Sequence, residues 1–262
     1  MLSIPARRLQ SVSQHLAAAR TLGTSRITKR AMSSNDTVSS NNSQLSLPLL
    51  THFQEQSNAG GAKITDWVTP GDKSGEFKRK ASAFRSFIEN KPGAEFPAER
   101  GRYHLYVSYA CPWAHRTLIV RKLKGLEDII PFTSVHWHML EKGWRFATKE
   151  EVDNKEVPGE NVTQDPVHPE FKYLQDIYFK VNPDYEGRYL VPTLYDKKTN
   201  NIVSNESSEI LRMFYTEFDD LIDEKYKKVD LFPEDLRKVI EETNDWHYND
   251  INNGVYKSGF AT

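Results

Sequence analysis

Residues 103–125 read YHLYVSYACPWAHRTLIVRKLKG. Tyr103 to Val107 are aromatic, apolar or β-branched at nearly every position, the pattern of a short strand covered on both faces. Ser108 to Ala110 form a turn. Pro112 suits a first helical turn, because its missing N–H would have no partner there anyway. Trp113, Val120 and Leu123 lie close to one helical stripe, and Gly125 is placed to end the helix. The stretch therefore predicts a strand, a sharp turn and a helix, with Cys111 at the helix N-terminus.

Cys111 is the only cysteine in the chain. A thiol attacks as its thiolate, and helix N-termini favour anions. The helix dipole contributes about 0.3–1 kcal/mol, too little alone to ionise a thiol fully at neutral pH, so N–H donors from Trp113 and Ala114 are expected to add to it. The same position also suits a buried structural cysteine. Ala114 stands where a dithiol motif has its second cysteine. No disulfide can form within the chain, and a mixed disulfide at Cys111 needs an outside thiol to resolve it. This points to monothiol exchange.

The 262 residues allow one or two domains. A formal charge of −1 gives no electrostatic case for nucleic acid or an anionic membrane. No apolar run approaches the length of a spanning helix, so no membrane insertion is expected. One cysteine excludes a disulfide scaffold and suits a reducing compartment.

Cys111-Pro112-Trp113-Ala114-His115-Arg116 after an apolar strand resembles the glutathionyl-hydroquinone reductases, the omega-like Xi-class glutathione transferases. So do Gly143-Trp144-Arg145-Phe146, Gly187-Arg188, Val191-Pro192-Thr193-Leu194-Tyr195-Asp196, Ser204-Asn205-Glu206-Ser207-Ser208-Glu209-Ile210 and Asn253-Gly254-Val255-Tyr256-Lys257. The similarity runs from about Phe77 to the last residue. It implies an α/β fold: a thioredoxin-like N-terminal glutathione-binding domain, followed by the start of an all-α glutathione transferase C-terminal domain. Family members continue well beyond this point, so the resemblance reads the chain as C-terminally truncated. An exposed apolar patch near Trp246 and Phe260 is then expected to promote association.

Five segments follow along the chain. Residues 1–34 are basic, acid-free up to Met32 and Ser-containing, as in a mitochondrial targeting segment or a disordered basic tail. Met32 is an alternative start, so the expected location is mitochondrial or cytoplasmic. Residues 35–57 read as a disordered linker. Residues 58–100 resemble the family's N-terminal extension, with Phe77, Phe84 and Ile88 at helical spacing and the whole expected to drape over the next domain.

Residues 101–218 are the thioredoxin-like glutathione-binding domain. A strand covers Phe132 to Met139, and on it His136 and His138 point the same way. A metal pair there is disfavoured for want of a nearby third ligand, and no metal is expected. Leu140 to Asp165 reads as a charged loop, Pro169 to Val181 as a helix, and Leu190 to Tyr195 as a strand whose Pro192 marks a special, often cis, position. Ile202 and Val203 form a short strand, and Asn205 to Phe218 a helix with Leu211 and Phe214 inward. Residues 219–262 are an acidic linker and the first part of the helical domain. There Pro233 to Ile251 is helical, with Leu236, Val239, Ile240 and Thr243 inward.

The resemblance makes glutathione the co-substrate and assigns a site. Ser207 offers its hydroxyl and backbone N–H to the γ-glutamyl carboxylate, although it also suits a simple capping role. Glu206 accepts from the ammonium. Val191 offers backbone groups to the cysteinyl unit in strand fashion. Trp144 and Arg188 match family positions that contact glutathione. Cys111 is the nucleophile, and Tyr256 is the candidate for serving the ring. The implied reaction removes glutathione from a glutathionyl-hydroquinone or related aromatic thioether, through a cysteinyl–glutathione disulfide. Alternatives are an omega-like thiol transferase or dehydroascorbate reductase, and a non-catalytic glutathione-fold binding protein. A homodimer is what the resemblance suggests.

Overall fold

Tyr103–Val107 is a strand with all five residues buried, as its composition predicts. The computed structural model describes residues 68–69, 71–78 and 81–261. The expected targeting segment and the expected linker lie outside them.

The elements in chain order are β1 (Ile88–Glu89), β2 (Phe96–Pro97), β3 (Tyr103–Val107), α1 (Pro112–Leu123), β4 (Phe132–Ser134), α2 (Lys149–Asp153), α3 (Leu174–Val181), β5 (Thr193–Asp196), β6 (Asn201–Ser204), α4 (Ser207–Thr216), α5 (Glu224–Lys227), α6 (Arg237–Trp246) and α7 (Asn253–Phe260). The main sheet has the order β4-β3-β5-β6. β3 runs parallel to β4 and antiparallel to β5, which is antiparallel to β6. The β-α-β crossover, the intervening helix and the β-hairpin followed by a helix make this a thioredoxin-like domain. α1 packs beside α4.

The buried face of α1 differs from the expected stripe. Ala114, Thr117, Val120 and Arg121 face inward, while Leu123 is exposed. Arg121 is tolerated there because its guanidinium donates to the carbonyls of Ile130 at 2.5 Å and Glu127 at 2.8 Å. Gly125 ends the helix with φ +61°, and a Cβ on it would fall 2.4 Å from the Tyr226 ring. Both facts require glycine. Lys124, only 1% exposed, ties the following segment down through Asp219 at 3.0 Å and the Val229 carbonyl at 3.2 Å.

Several expected bounds change. β4 stops at Ser134, because from His136 the chain pairs instead with Arg145 (N–H to carbonyl, 2.8 Å). The expected loop Leu140–Asp165 contains α2, started by a Thr148/Glu151 capping box. The third helix begins at Leu174 rather than Pro169, because the Asp176 carboxylate receives the Lys172 and Tyr173 N–H groups. α4 spans Ser207–Thr216, with Ile210, Met213 and Phe214 inward and Leu211 only partly buried. The linker holds a 3-10 turn at Asp219–Leu221 and α5.

The helical spacing of Phe77, Phe84 and Ile88 does not give a helix. Gly71 and Gly75 adopt positive φ, and the segment pairs along the free edge of β6. Ser86 N–H donates to the Val203 carbonyl (2.9 Å) and Asn205 N–H to the Phe84 carbonyl (3.1 Å). The extension therefore covers a sheet edge, which removes a row of unpaired backbone groups.

At the C-terminal end the helix runs past Ile251. A π-helical turn, His247–Asn252, joins α6 to α7. No residue of α6 is buried. Trp246 (50% exposed) and Phe260 (48%) are exposed, as are Val239, Ile251 and Val255. No helix among the described residues is long and apolar enough to cross a membrane.

Candidate functional site

Cys111 caps α1 in extended conformation and is partly exposed. Its thiol does not cap the helix's own N–H groups, which departs from the expected role of Trp113 and Ala114. It lies 3.5 Å from the Val191 carbonyl and is oriented to donate to it. The Val191–Pro192 peptide is cis. The sheet accounts for this meeting: β3 and β5 are neighbours, so the turn after β3 and the corner before β5 face each other at one end.

The second cluster forms where α4 begins. Glu206 is the N-cap, and its carboxylate accepts from Ser208 N–H (3.2 Å), Ser208 Oγ (3.0 Å) and Ser82 Oγ (3.0 Å). Burial raises the Glu206 carboxyl, but these hydrogen bonds and Arg116 outweigh it and leave the group below its ordinary range. Glu206 is therefore a carboxylate able to meet an ammonium. Ser207 follows, and its buried Oγ accepts from Arg116 Nη2 at 2.6 Å. The same guanidinium is 4.0 Å from Glu206 and lies 5.1 Å over the Trp113 ring.

The third cluster is aromatic. Trp113 Nε1 donates to Tyr256 Oη at 3.5 Å, linking the first turn of α1 to α7. Tyr256 meets Phe77 at 5.1 Å between ring centroids. The Arg188 guanidinium lies 5.5 Å over that Phe77 ring. Cys111 and Val191 thus meet directly, Glu206 and Ser207 are bound together through Arg116, and Tyr256 and Arg188 share Phe77. Trp144 is different: it is 5% exposed in the core, and its carbonyl receives Leu174 N–H at the start of α3.

Arg116, Ser82 and Phe77 were not singled out as site residues by the sequence. Arg116 carried a signal, since it closes the Cys-Pro-Trp-Ala-His-Arg motif and lies five residues after the thiol. Ser82 had none, because its partner Glu206 is 124 residues away. His136 and His138 stack at 6.3 Å, and no group of three or more metal-ligating side chains occurs among the described residues.

The family profile described as the glutathione S-transferase N-terminal domain matches residues 110–217. Glutathione S-transferase omega-like 2 of Schizosaccharomyces pombe is 51% identical over 202 residues, covering 76% of this chain and 59% of that protein. Glutathionyl-hydroquinone reductase YqjG of Escherichia coli is 48% identical over 202 residues, covering 75% of this chain and 58% of the relative. A Xi glutathione transferase of Saccharomyces cerevisiae, solved in complex with glutathione, superposes with a TM-score of 0.63 at 42% identity, covering 71% of this chain and 59% of that one. The chain thus spans less than two thirds of the length of these relatives. The fold and these similarities agree, and the matched part of the chain belongs to the glutathione transferase family, with its Xi-class members.

Proposed function

We propose that this protein is a glutathione-dependent reductase that removes glutathione from glutathionyl-hydroquinones by way of a disulfide on Cys111. The observation that carries the reading is the lone thiol at the start of α1, 3.5 Å from the Val191 carbonyl. A tripeptide laid in strand fashion along Val191 brings its sulfur to Cys111. Ser207 and Glu206, at the start of α4, then meet the carboxylate and ammonium of its γ-glutamyl end.

The reaction balances in two steps. The Cys111 thiolate attacks the sulfur of the aromatic thioether. The sulfur–carbon bond breaks, its electron pair goes to the ring carbon, and that carbon takes a proton. Free hydroquinone leaves, and Cys111 is joined to glutathione by a disulfide. A second glutathione then attacks this disulfide as its thiolate. Oxidised glutathione leaves and Cys111 returns as a thiolate. The proton released by the second glutathione balances the one consumed at carbon. Tyr256, tied to Trp113 at 3.5 Å, is our candidate to donate that proton or to bind the ring hydroxyl.

The test is an assay of the purified chain with a glutathionyl-hydroquinone and glutathione, following hydroquinone and oxidised glutathione. Ping-pong kinetics with one equivalent of each product support the reading. Reduction of small disulfides without any action on the aromatic thioether would favour the omega-like thiol transferase instead.

A further inference from the structure

Phe77 belongs to a stretch without regular secondary structure, yet only 5% of it is exposed. Ordering such a stretch costs conformational entropy, so its anchors matter. Ser74 N–H donates to Asp72 Oδ1 (2.9 Å), Lys78 Nζ reaches Asp72 Oδ2 (2.8 Å), and Glu76 N–H donates to Ser74 Oγ (3.2 Å). Gly75 presses on the end of α7: a Cβ there would fall 2.4 Å from the Ala261 nitrogen and 2.8 Å from the Phe260 carbonyl carbon. With φ +68° as well, this approach is open to glycine alone. Farther on, Ser82 reaches Glu206.

The stretch thus touches both halves of the site. Its Ser82 meets the cluster expected to hold the γ-glutamyl end, and its Phe77 meets both Tyr256 and Arg188. Tyr256 needs such support: on the same helix, Val255 is 69% exposed and Phe260 is exposed.

We propose that Phe77 is a positioning residue for the aromatic half of the substrate, holding Tyr256 against Trp113 and so setting a preference for aryl over alkyl thioethers of glutathione. The inference rests on the glutathione reading given above. Phe77 acts through Tyr256, and the segment ahead of the sheet becomes part of the specificity apparatus.

The experiment measures binding of S-phenylglutathione and S-methylglutathione to the full chain by calorimetry, with Phe77→Ala, Tyr256→Ala, the double variant and Phe77→Tyr. Each single alanine variant is expected to cut the aryl-over-alkyl preference by about two- to tenfold, the size of an aromatic pair. The double variant is expected to lose no more than either single one, and Phe77→Tyr to keep the preference. Equal weakening of both ligands in Phe77→Ala would mean a structural role only and overturn the proposal. So would additive losses, or an unchanged preference. If neither ligand binds the unaltered chain, the glutathione reading falls and this inference falls with it.

Discussion

Arg116 Nη2 donates to Ser207 Oγ across 2.6 Å, bringing a full positive charge from α1 to the first residue of α4. A helix N-terminus alone offers an anion about 0.3–1 kcal/mol. Hydrogen bonds to charged groups contribute about 1.5–3 kcal/mol, so the guanidinium outweighs the dipole as an anchor for a ligand carboxylate. Arg116→Ala is expected to weaken glutathione binding by about ten- to a hundredfold in a calorimetric titration. Arg116→Lys should recover part of the loss, since it restores the charge without the planar fork. A change below about twofold in Arg116→Ala would remove Arg116 from the site.

Cys111→Ser is expected to abolish release of hydroquinone, because an alcohol does not replace a thiolate in disulfide chemistry. Cys111→Ala should still bind glutathione, since Val191, Glu206 and Ser207 are untouched. Product assays and titrations on the two variants separate chemistry from binding. Full activity in either one would refute the disulfide mechanism.

The geometry of the candidate site is legible in the sequence where it is local and hidden where it is long-range. The strand-turn-helix setting of Cys111, the helix-ending place of Gly125 and the special status of Pro192 all follow from residues adjacent in sequence. The inner face of α1 did not, because a hydrophobic stripe cannot announce Arg121, whose burial depends on two carbonyls beyond the helix end. Phe77 reads from sequence as an aromatic at helical spacing with Phe84 and Ile88, a spacing the structure does not turn into a helix. Its real partners, Tyr256 and Arg188, lie more than a hundred residues away, and only the sheet and the two ends of the site bring them together.

His104 carries a pH signature. Burial lowers its ring to about 3, and the cations Lys197 and Arg121 and nearby His168 push the same way. Between about 3 and the ordinary 6.5 the unfolded chain binds a proton that the native one does not. Stability therefore rises with pH across that window and falls on acidification, by about 1.4 kcal/mol per pH unit for one proton. His104→Gln keeps a polar group opposite Thr133 Oγ1, which His104 Nε2 meets at 2.9 Å, and removes the proton site. Urea unfolding at pH 4, 5, 6 and 7 should show the variant's stability depending on pH by about one proton less than the unaltered chain. Identical slopes would mean that His104 is protonated in the native state.

Arg102 and Asp196 form a two-pronged buried pair, Nε to Oδ1 at 2.9 Å and Nη2 to Oδ2 at 2.5 Å, where β3 begins and β5 ends. Burial raises the Asp196 carboxyl, but Arg102, the Lys198 N–H and the Thr199 hydroxyl together hold it below its ordinary value. Its contribution to stability is present above the unfolded carboxylate range and fades as acid titrates the native group. Arg102→Leu leaves that carboxylate buried with its cation gone, at a cost of about 3–5 kcal/mol. Because β5 also carries the corner that meets Cys111, glutathione binding should weaken at the temperatures where the variant begins to melt. Replacing both residues with leucine should cost much less than the sum of the single changes, since a paired apolar substitution leaves no orphaned charge. Thermal unfolding followed by circular dichroism decides the matter. Additive losses would show that the two side chains stabilise the sheet independently rather than as a pair.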